Sequence, residues 1–352
     1  MAEKNQANHK ARNITIIVLS LALMAGAAFY FFYWLKSPQY SLKLIRDAVQ
    51  RHDAVTFEKY VDVNNLNSRA IDDMVTATIS PEDAQNPLLS TMLLMVKNTA
   101  LPHFNSQMRT YVATGSFAPS QQNDEGQQIA ALAATRTGLE NLTFQGVDNA
   151  ERKNDMATVT CTMRDTKLAQ DFKVKLLMQR LPDQTWRLEE IANLSEFLVA
   201  HDDAVSAKLS KLNEPISAEI DSKVQVIKDG SKVYKVERVD TAVSGIQLSS
   251  VKAAFSFKLL DPNVTRVRGN VEFYDKDNQV LFSRAFDSEG LDLSKQKDGI
   301  WSFADEWRLN SFDTMDKKLL AADMSTAKTG IVFTGVTMKD GKEINFLTSL
   351  PE

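Results

Sequence analysis

Residues 14–35 read ITIIVLSLALMAGAAFYFFYWL, and this stretch decides how the remainder of the chain is organised. It contains no charged residue and no proline. At a rise of about 1.5 Å per residue, a helix over this range is long enough to cross the roughly 30 Å hydrocarbon core of a bilayer. The sequence from Lys36 to Glu352 has no second apolar stretch of this length. Residues 14–35 therefore predict a single N-terminal transmembrane helix, followed by one polar ectodomain.

Basic residues before this helix predict which side of the membrane the N-terminus occupies. Lys4, Lys10 and Arg12 lie within residues 1–13, which we interpret as a cytoplasmic tail. Short basic segments tend to remain in the cytoplasm, whereas a long region behind the helix is translocated largely regardless of its charges. We expect a single-pass protein of the cytoplasmic (inner) membrane, with its C-terminal ectodomain on the extracytoplasmic side.

Two alternatives concern the helix itself. Ala25-Gly26-Ala27 resembles a signal-peptide cleavage site, but cleavage there would leave the aromatic residues 29–34 as an exposed apolar N-terminus. Tyr and Trp rings favour the headgroup level, so this cluster is better explained as the outer end of a spanning helix. Ala22 and Gly26 form a small-xxx-small pair, which leaves a homodimer through this helix open.

The amino-acid composition is typical of a folded globular protein. Charged residues make up 24% of the chain and hydrophobic residues 43%, with a net charge of -4, so a polycationic surface for nucleic acid is not expected. The single cysteine, Cys161, excludes an intramolecular disulfide. Its strand-like surroundings favour a half-buried, unreactive thiol. The length behind the helix favours two domains.

The first domain is predicted over residues 37–213 as α+β. Helical spacing of apolar residues continues to about Gly138, with Asp53 and Asn64 or Asn65 as N-caps, Asn86 as a cap of the longest helix, and Pro102 breaking or kinking it. The period then becomes two, which predicts an antiparallel meander of four strands, at 142–147, 157–163, 168–179 and 186–191. A connecting helix from Leu194 is expected to end at Pro215.

The second domain is predicted over residues 220–352 as a β-sandwich of about seven strands. Turn residues recur between short alternating segments, at 228–230, 261–263, 275–278, 297–299 and 339–341. The clearest hairpin joins VRGNVEFYD, residues 267–275, to QVLFSRAFD, residues 279–287. Trp301, Phe303 and Trp307 are expected to supply core side chains in a later strand.

Three resemblances accompany these patterns. The ectodomain opening Ser37-Pro38-Gln39-Tyr40-Ser41-Leu42, within residues 37–79, resembles a bacterial family of membrane-anchored proteins known only as a domain of unknown function, which implies an envelope protein and no particular activity. The block ending in residues 186–191, WRLEEI, is similar to the last strand of cystatin-like or NTF2-like folds. Residues 267–281 are similar to extracytoplasmic immunoglobulin-like modules. None of these families supplies catalytic, cofactor-binding or metal-binding residues for this chain.

Three histidines are candidates for binding a ligand or a metal. His201 falls on the apolar face of its helix, where a satisfied, partly buried side chain is favoured over a ligand, and adjacent Asp202 points about 100° away. His52 follows a helix, where it would meet the helix dipole as a C-terminal cation. His103 follows Pro102 and has no acidic or cysteine neighbour, which disfavours metal binding.

Carboxylates give two further candidates. Residues 275–279, DKDNQ, alternate like a calcium loop but lack its glycine and distal glutamate, so a hairpin turn is favoured. Glu189 and Glu190 on a strand would point to opposite faces, leaving one that could enter a concave sheet cavity as a general base, although an ion-paired residue is the commoner outcome. The chain contains none of the common nucleotide-binding or hydrolase motifs.

These observations predict a non-enzymatic, membrane-anchored protein whose ectodomain binds another component of the bacterial envelope, in addition to the lipid bilayer that holds its helix. No cofactor or metal is expected. The alternative is a small-ligand receptor or minor enzyme that uses a cavity of the α+β domain. An apolar pocket with convergent polar groups would favour the alternative, and a filled sheet face would favour the binding protein.

Overall fold

The computed structural model describes residues 18–78, 87–116, 141–228, 234–243, 246–292, 298–310 and 313–351. The chain divides into two compact units, Met1–Ala204 and Val205–Glu352. The expected cap at Asn86 and the helix end at Gly138 lie outside the described residues. The domain bounds 37–213 and 220–352 stay predictions.

Five described helices precede the sheet of the first unit, and the last of them is the longest. They are α1 Val18–Trp34, α2 Pro38–Arg51, α3 Ala54–Tyr60, α4 Val63–Thr78 and α5 Pro87–Thr114. The Ser37 hydroxyl and the Asp53 carboxylate accept from backbone N–H groups as N-caps of α2 and α3, the latter as expected. At α4 the cap is Asp62, which accepts from the N–H of Asn65, so the assignment to Asn64 or Asn65 was wrong by two or three positions.

Pro102 does not break its helix, because α5 is helical from Pro87 to Thr114, while the alternative of a kink at Pro102 stays a prediction. A proline inside a helix costs about 3 kcal/mol through the lost N–H and a clash with the preceding turn. Ala100 and Asn105 are buried on either side of Pro102, and Val112 is buried further along. Packing of both halves of α5 against the rest of the unit offsets this cost.

Four antiparallel strands follow in the order predicted. They are β1 Leu142–Lys153, β2 Met156–Asp165, β3 Gln170–Arg180 and β4 Trp186–Ile191, and each pairs with the next. The turns between them contain Asn154 and Gln184 with positive φ, at 57° and 66°. The α+β meander of the first domain is therefore confirmed.

One face of this sheet is filled by apolar side chains. Val159, Cys161 and Met178 are almost completely buried and contact the helices in a single core that also includes Phe57 and Val112. Beyond this core, Phe172 and Val174 pack against Leu194 and Phe197 of the next helix. The helix-facing side of the sheet is thus a packed layer.

Helix α6 extends from Leu194 to Asp221, so the expected end at Pro215 is wrong. Ile216 packs against the core of the second unit, and Ile220 is fully buried there. Burial of these two side chains after Pro215 keeps the chain helical for another turn and a half.

The second unit contains two four-stranded antiparallel sheets within its described residues. The strands are β5 Val224–Ile227, β6 Tyr234–Val243, β7 Ile246–Leu259, β8 Val264–Tyr274, β9 Val280–Glu289, β10 Ile300–Arg308, β11 Lys328–Met338 and β12 Glu343–Asn345. One sheet has the order β12-β11-β8-β9. In the other, β10 pairs with one edge of β7, while β5 and β6 follow each other along the opposite edge.

The two sheets face each other across a shared aromatic core, as in a β-sandwich. Phe257 of β7 contacts Phe333 of β11 edge-on, with ring centroids 6.0 Å apart, and Phe255 contacts Phe286 at 5.1 Å. The expected β8–β9 hairpin is present, and Trp301, Phe303 and Trp307 pack against the core. A short helix that the sequence pattern did not predict, α7 Thr314–Ala321, covers β9 with Leu319 fully buried.

Within the part of the chain that the structure describes, no single helix is long and apolar enough to cross a membrane. Helices α1 and α2, bent by 74°, pass that test as a pair by length and composition. Residues 14–17 of the predicted span precede the described part of α1.

Candidate functional site

The junction between α1 and α2 is bonded to one end of the first sheet. Trp186, the first residue of β4, donates its indole Nε1–H to the carbonyl oxygen of Lys36 at 3.0 Å, and its backbone N–H to the Ser41 hydroxyl at 3.0 Å. The Lys36 ammonium donates to the carbonyl oxygen of Asp183 in the β3–β4 turn at 2.5 Å. These bonds hold the end of the apolar helix against the folded unit.

A groove of about 290 Å³ lies at this junction. It is lined by the last aromatic residues of α1, the start of α2 and the end of β1, namely Tyr33, Trp34, Ser37, Gln39, Ala150 and Arg152. The Gln39 side-chain oxygen is buried and has no hydrogen-bond partner within the described residues. A buried acceptor without a partner is uncommon in folded proteins, because burial removes its water.

Arg152 is the cation of this groove. Its guanidinium lies 5.4 Å from the ring centroid of Tyr33 and 5.9 Å from that of Trp186, at cation–π distance from both. Its side chain is exposed, and across the described ranges it has no carboxylate partner. The aromatic rings position the guanidinium while leaving its N–H donors available.

Some charged side chains in this part of the unit form ion pairs. The Lys59 ammonium lies 2.8 Å from the Asp183 carboxylate. Hydrogen bonds from that ammonium and from the Thr185 hydroxyl hold the pKa of Asp183 well below its usual range. Arg187 pairs with Glu189 at 2.7 Å. Arg152 is one of several cations at this end of the sheet that bond no carboxylate among the described residues: Lys36 donates to a carbonyl oxygen, and Arg180 lies 5.9 Å from the ring centroid of Trp186. Of these cations, Arg152 is the one that lines the groove.

The histidines have structural roles. His201 is buried, with Nε2 2.8 Å from an Asp165 carboxylate oxygen and its ring centroid 5.5 and 5.8 Å from those of Phe172 and Phe197, which confirms the satisfied side chain. His52 ends α2 in the left-handed conformation, and its Nδ1 donates to the carbonyl oxygen of Val112 at 3.1 Å. His103 lies within α5, one residue after Pro102.

The remaining candidates also serve the fold. Burial raises the pKa of the Cys161 thiol to about 11, so it is protonated and unreactive at neutral pH. Glu189 is buried and bonded to Arg187 and Asn65, while Glu190 lies 3.7 Å from Arg69, so both are ion-paired. One Asp275 carboxylate oxygen accepts from the N–H groups of Asp277 and Gln279, which confirms the hairpin turn.

The described ranges hold no group of three or more His, Cys, Asp or Glu side chains that could bind a metal ion.

A second groove, of about 590 Å³, lies on the second unit between the β8–β9 turn and the end of α7, and includes Lys276, Leu281 and Lys318. The groove between α1, α2 and β1 can bind an anion through Arg152.

No protein-family model and no curated protein matches the chain. The resemblance of residues 37–79 to a membrane-anchored family, and those to cystatin-like, NTF2-like and immunoglobulin-like folds, therefore stay predictions.

The groove itself was missed by sequence reasoning. Arg152 stands next to a turn in a polar stretch, AERKND, which reads as an ordinary solvated hairpin end. Gln39 stands in the ectodomain opening, residues 37–42, where its neighbours in the sequence give no sign of a groove. Their proximity depends on the end of β1 meeting the start of α2, which no local pattern reveals.

Proposed function

We propose that this chain is a single-pass protein of the bacterial cytoplasmic membrane, anchored by residues 14–35, whose extracytoplasmic region binds another envelope component without catalysis. One observation carries the proposal. Every described residue of α1 is exposed, including Leu23 at 74% and Phe32 at 83%, so most of this apolar helix is left uncovered by the described residues. Apolar area of this kind is stable when lipid covers it.

The packing of the first unit supports a binding protein over a ligand receptor or enzyme. The helix-facing side of the sheet, where a cystatin-like or NTF2-like cavity would open, is filled by Val159, Met178, Trp186 and their neighbours. The opposite face presents polar side chains, among them Thr158, Thr160 and Lys175, which are left for contact with a partner.

Topology is tested by fusing a reporter that is active only in an oxidising compartment to Glu352. We expect activity together with full-length protein in the carbonate-resistant membrane fraction. Activity of a cytoplasm-dependent reporter, release by carbonate, or a product shortened at residues 25–27 would each refute the anchored orientation.

Partner binding is tested by placing a photocrosslinking amino acid at Lys175, on the exposed face of the sheet, in cells expressing the full chain. We expect discrete protein or envelope-polymer adducts that depend on illumination. The matched control is the same amino acid at Leu23 within α1, which should yield lipid adducts. Absence of adducts from Lys175, and from a second exposed position at Lys235, would contradict the binding function.

A further inference from the structure

We propose that the groove between α1, α2 and β1 binds the headgroup of a membrane phospholipid, with its phosphate on Arg152. This inference rests on the proposed membrane anchoring, and adds a specific lipid contact to it. The groove begins at Tyr33 and Trp34, the last aromatic residues of the apolar stretch. Such residues lie at the headgroup level when a helix spans a bilayer, so lipid phosphates would surround the groove.

Charge and geometry favour a phosphate at Arg152. A guanidinium presents a planar fork of N–H donors that matches two phosphate oxygens, and Arg152 is the cation that lines the groove, with no carboxylate partner among the described residues. The rings of Tyr33 and Trp186 restrict the side chain before any ligand binds, which reduces the entropy lost on binding. The N-terminal end of α2 lies in the same groove, and its dipole also favours an anion.

Gln39 gives the ligand a second contact. Its buried side-chain oxygen lacks a donor within the described residues. A phospholipid headgroup such as glycerol or ethanolamine carries a hydroxyl or ammonium donor next to its phosphate. One headgroup can therefore contact both the cation and the orphaned acceptor.

The test uses the full chain, purified in detergent and titrated with phosphatidylglycerol, with bound lipid counted by native mass spectrometry. Loss of a charge-assisted bidentate contact should weaken binding about tenfold in Arg152→Ala. Arg152→Lys, which keeps the charge but not the fork, and Gln39→Leu should each give a smaller loss. The matched control is Lys153→Ala, which removes the adjacent exposed cation and should bind lipid like the wild type.

Four results would overturn the inference. The first three are unchanged binding in Arg152→Ala when its melting temperature matches the wild type, an equal loss in Lys153→Ala, and equal binding of diacylglycerol, which has no phosphate. Saturation of the site by inorganic phosphate alone would also overturn it, because the lipid source would then be wrong. If Arg152→Ala does not fold, Gln39→Leu and Arg152→Lys decide the result.

Failure of this inference is distinguishable from failure of the anchor. Carbonate extraction and the C-terminal reporter are measured on the same wild-type and Arg152→Ala proteins. A wild-type chain that is not membrane-inserted refutes the proposed function. Correct insertion with no dependence of lipid binding on Arg152 refutes only the headgroup site.

Discussion

At the scale of single residues, Trp186 connects more parts of the first unit than any other side chain described above. It is 2% exposed and lies in the core with Phe57 and Leu188. Its indole and backbone N–H groups bond Lys36 and Ser41, on the segment that follows α1. Arg152 and Arg180 each lie 5.9 Å from its ring. Trp186 therefore packs in the core, holds the end of α1 through Lys36, and contacts the cation that lines the groove.

We predict that Trp186→Ala destabilises the full chain by about 3 to 5 kcal/mol, the usual cost of truncating a buried tryptophan. Urea unfolding in detergent, followed by circular dichroism, measures the change. Phe144→Ala is the matched control, since Phe144 is an aromatic residue of the same sheet that is 47% exposed. Normal stability of Trp186→Ala together with loss of partner or ligand binding would show that the side chain is a recognition residue instead of a core residue.

At the scale of elements, α4 and α5 are joined by a chain of buried amides. Asn67 donates to the Asn105 side-chain oxygen at 2.8 Å, and Asn105 donates to the Asn64 side-chain oxygen at 3.0 Å. Asn67 and Asn105 are 6% and 8% exposed. Buried amides require partners of fixed geometry, so these bonds set the register of one helix against the other.

We therefore expect Asn105→Ala to lower the stability of the full chain by about 1 to 3 kcal/mol, because it leaves the Asn67 amide buried without an acceptor. Asn98→Ala, at an exposed position of the same helix, should change stability by less than about 0.5 kcal/mol. Melting temperatures of the two variants give the comparison. Equal melting temperatures would mean that the amide chain does not stabilise the α4–α5 pair.

At the scale of the whole molecule, the second unit includes the last part of α6. Ile220 is fully buried in the sandwich core, and Ile216 packs against it. Asn213 bonds the backbone of Leu347 twice, through its amide nitrogen at 3.1 Å and its oxygen at 2.8 Å. A fragment that begins after the helix would lack all of these contacts.

A fragment of residues 205–352 should unfold cooperatively and show β-type circular dichroism. A fragment of residues 222–352 should melt at a lower temperature, because loss of a buried isoleucine alone costs about 2 to 5 kcal/mol. Within the longer fragment, Ile220→Ala should reproduce most of the difference, and Lys211→Ala, at an exposed position, should not. Equal stability of the two fragments would show that the helix end is dispensable.

Local patterns in the sequence determined the elements of this protein. Alternating apolar residues predicted β1 to β4 and the β8–β9 hairpin, because strand periodicity follows directly from which face is buried. The turn residues around Asn154 and Asn278 marked where strands end, since both have positive φ. The apolar stretch at residues 14–35 was also evident from the sequence, because it contains no charged residue and no proline.

Tertiary structure alone decided three other features. Pro102 and Pro215 lie inside helices because side chains that are buried elsewhere in each helix, among them Asn105 and Ile220, offset the local cost of the proline. Helix α7 has one buried apolar anchor, Leu319, too few for a periodic signal. The groove joins Gln39 to Arg152, which are remote in the chain, through the sheet end that Trp186 fastens to α2. Long-range contacts of this kind depend on which surfaces pack together, and no window of neighbouring residues contains that information.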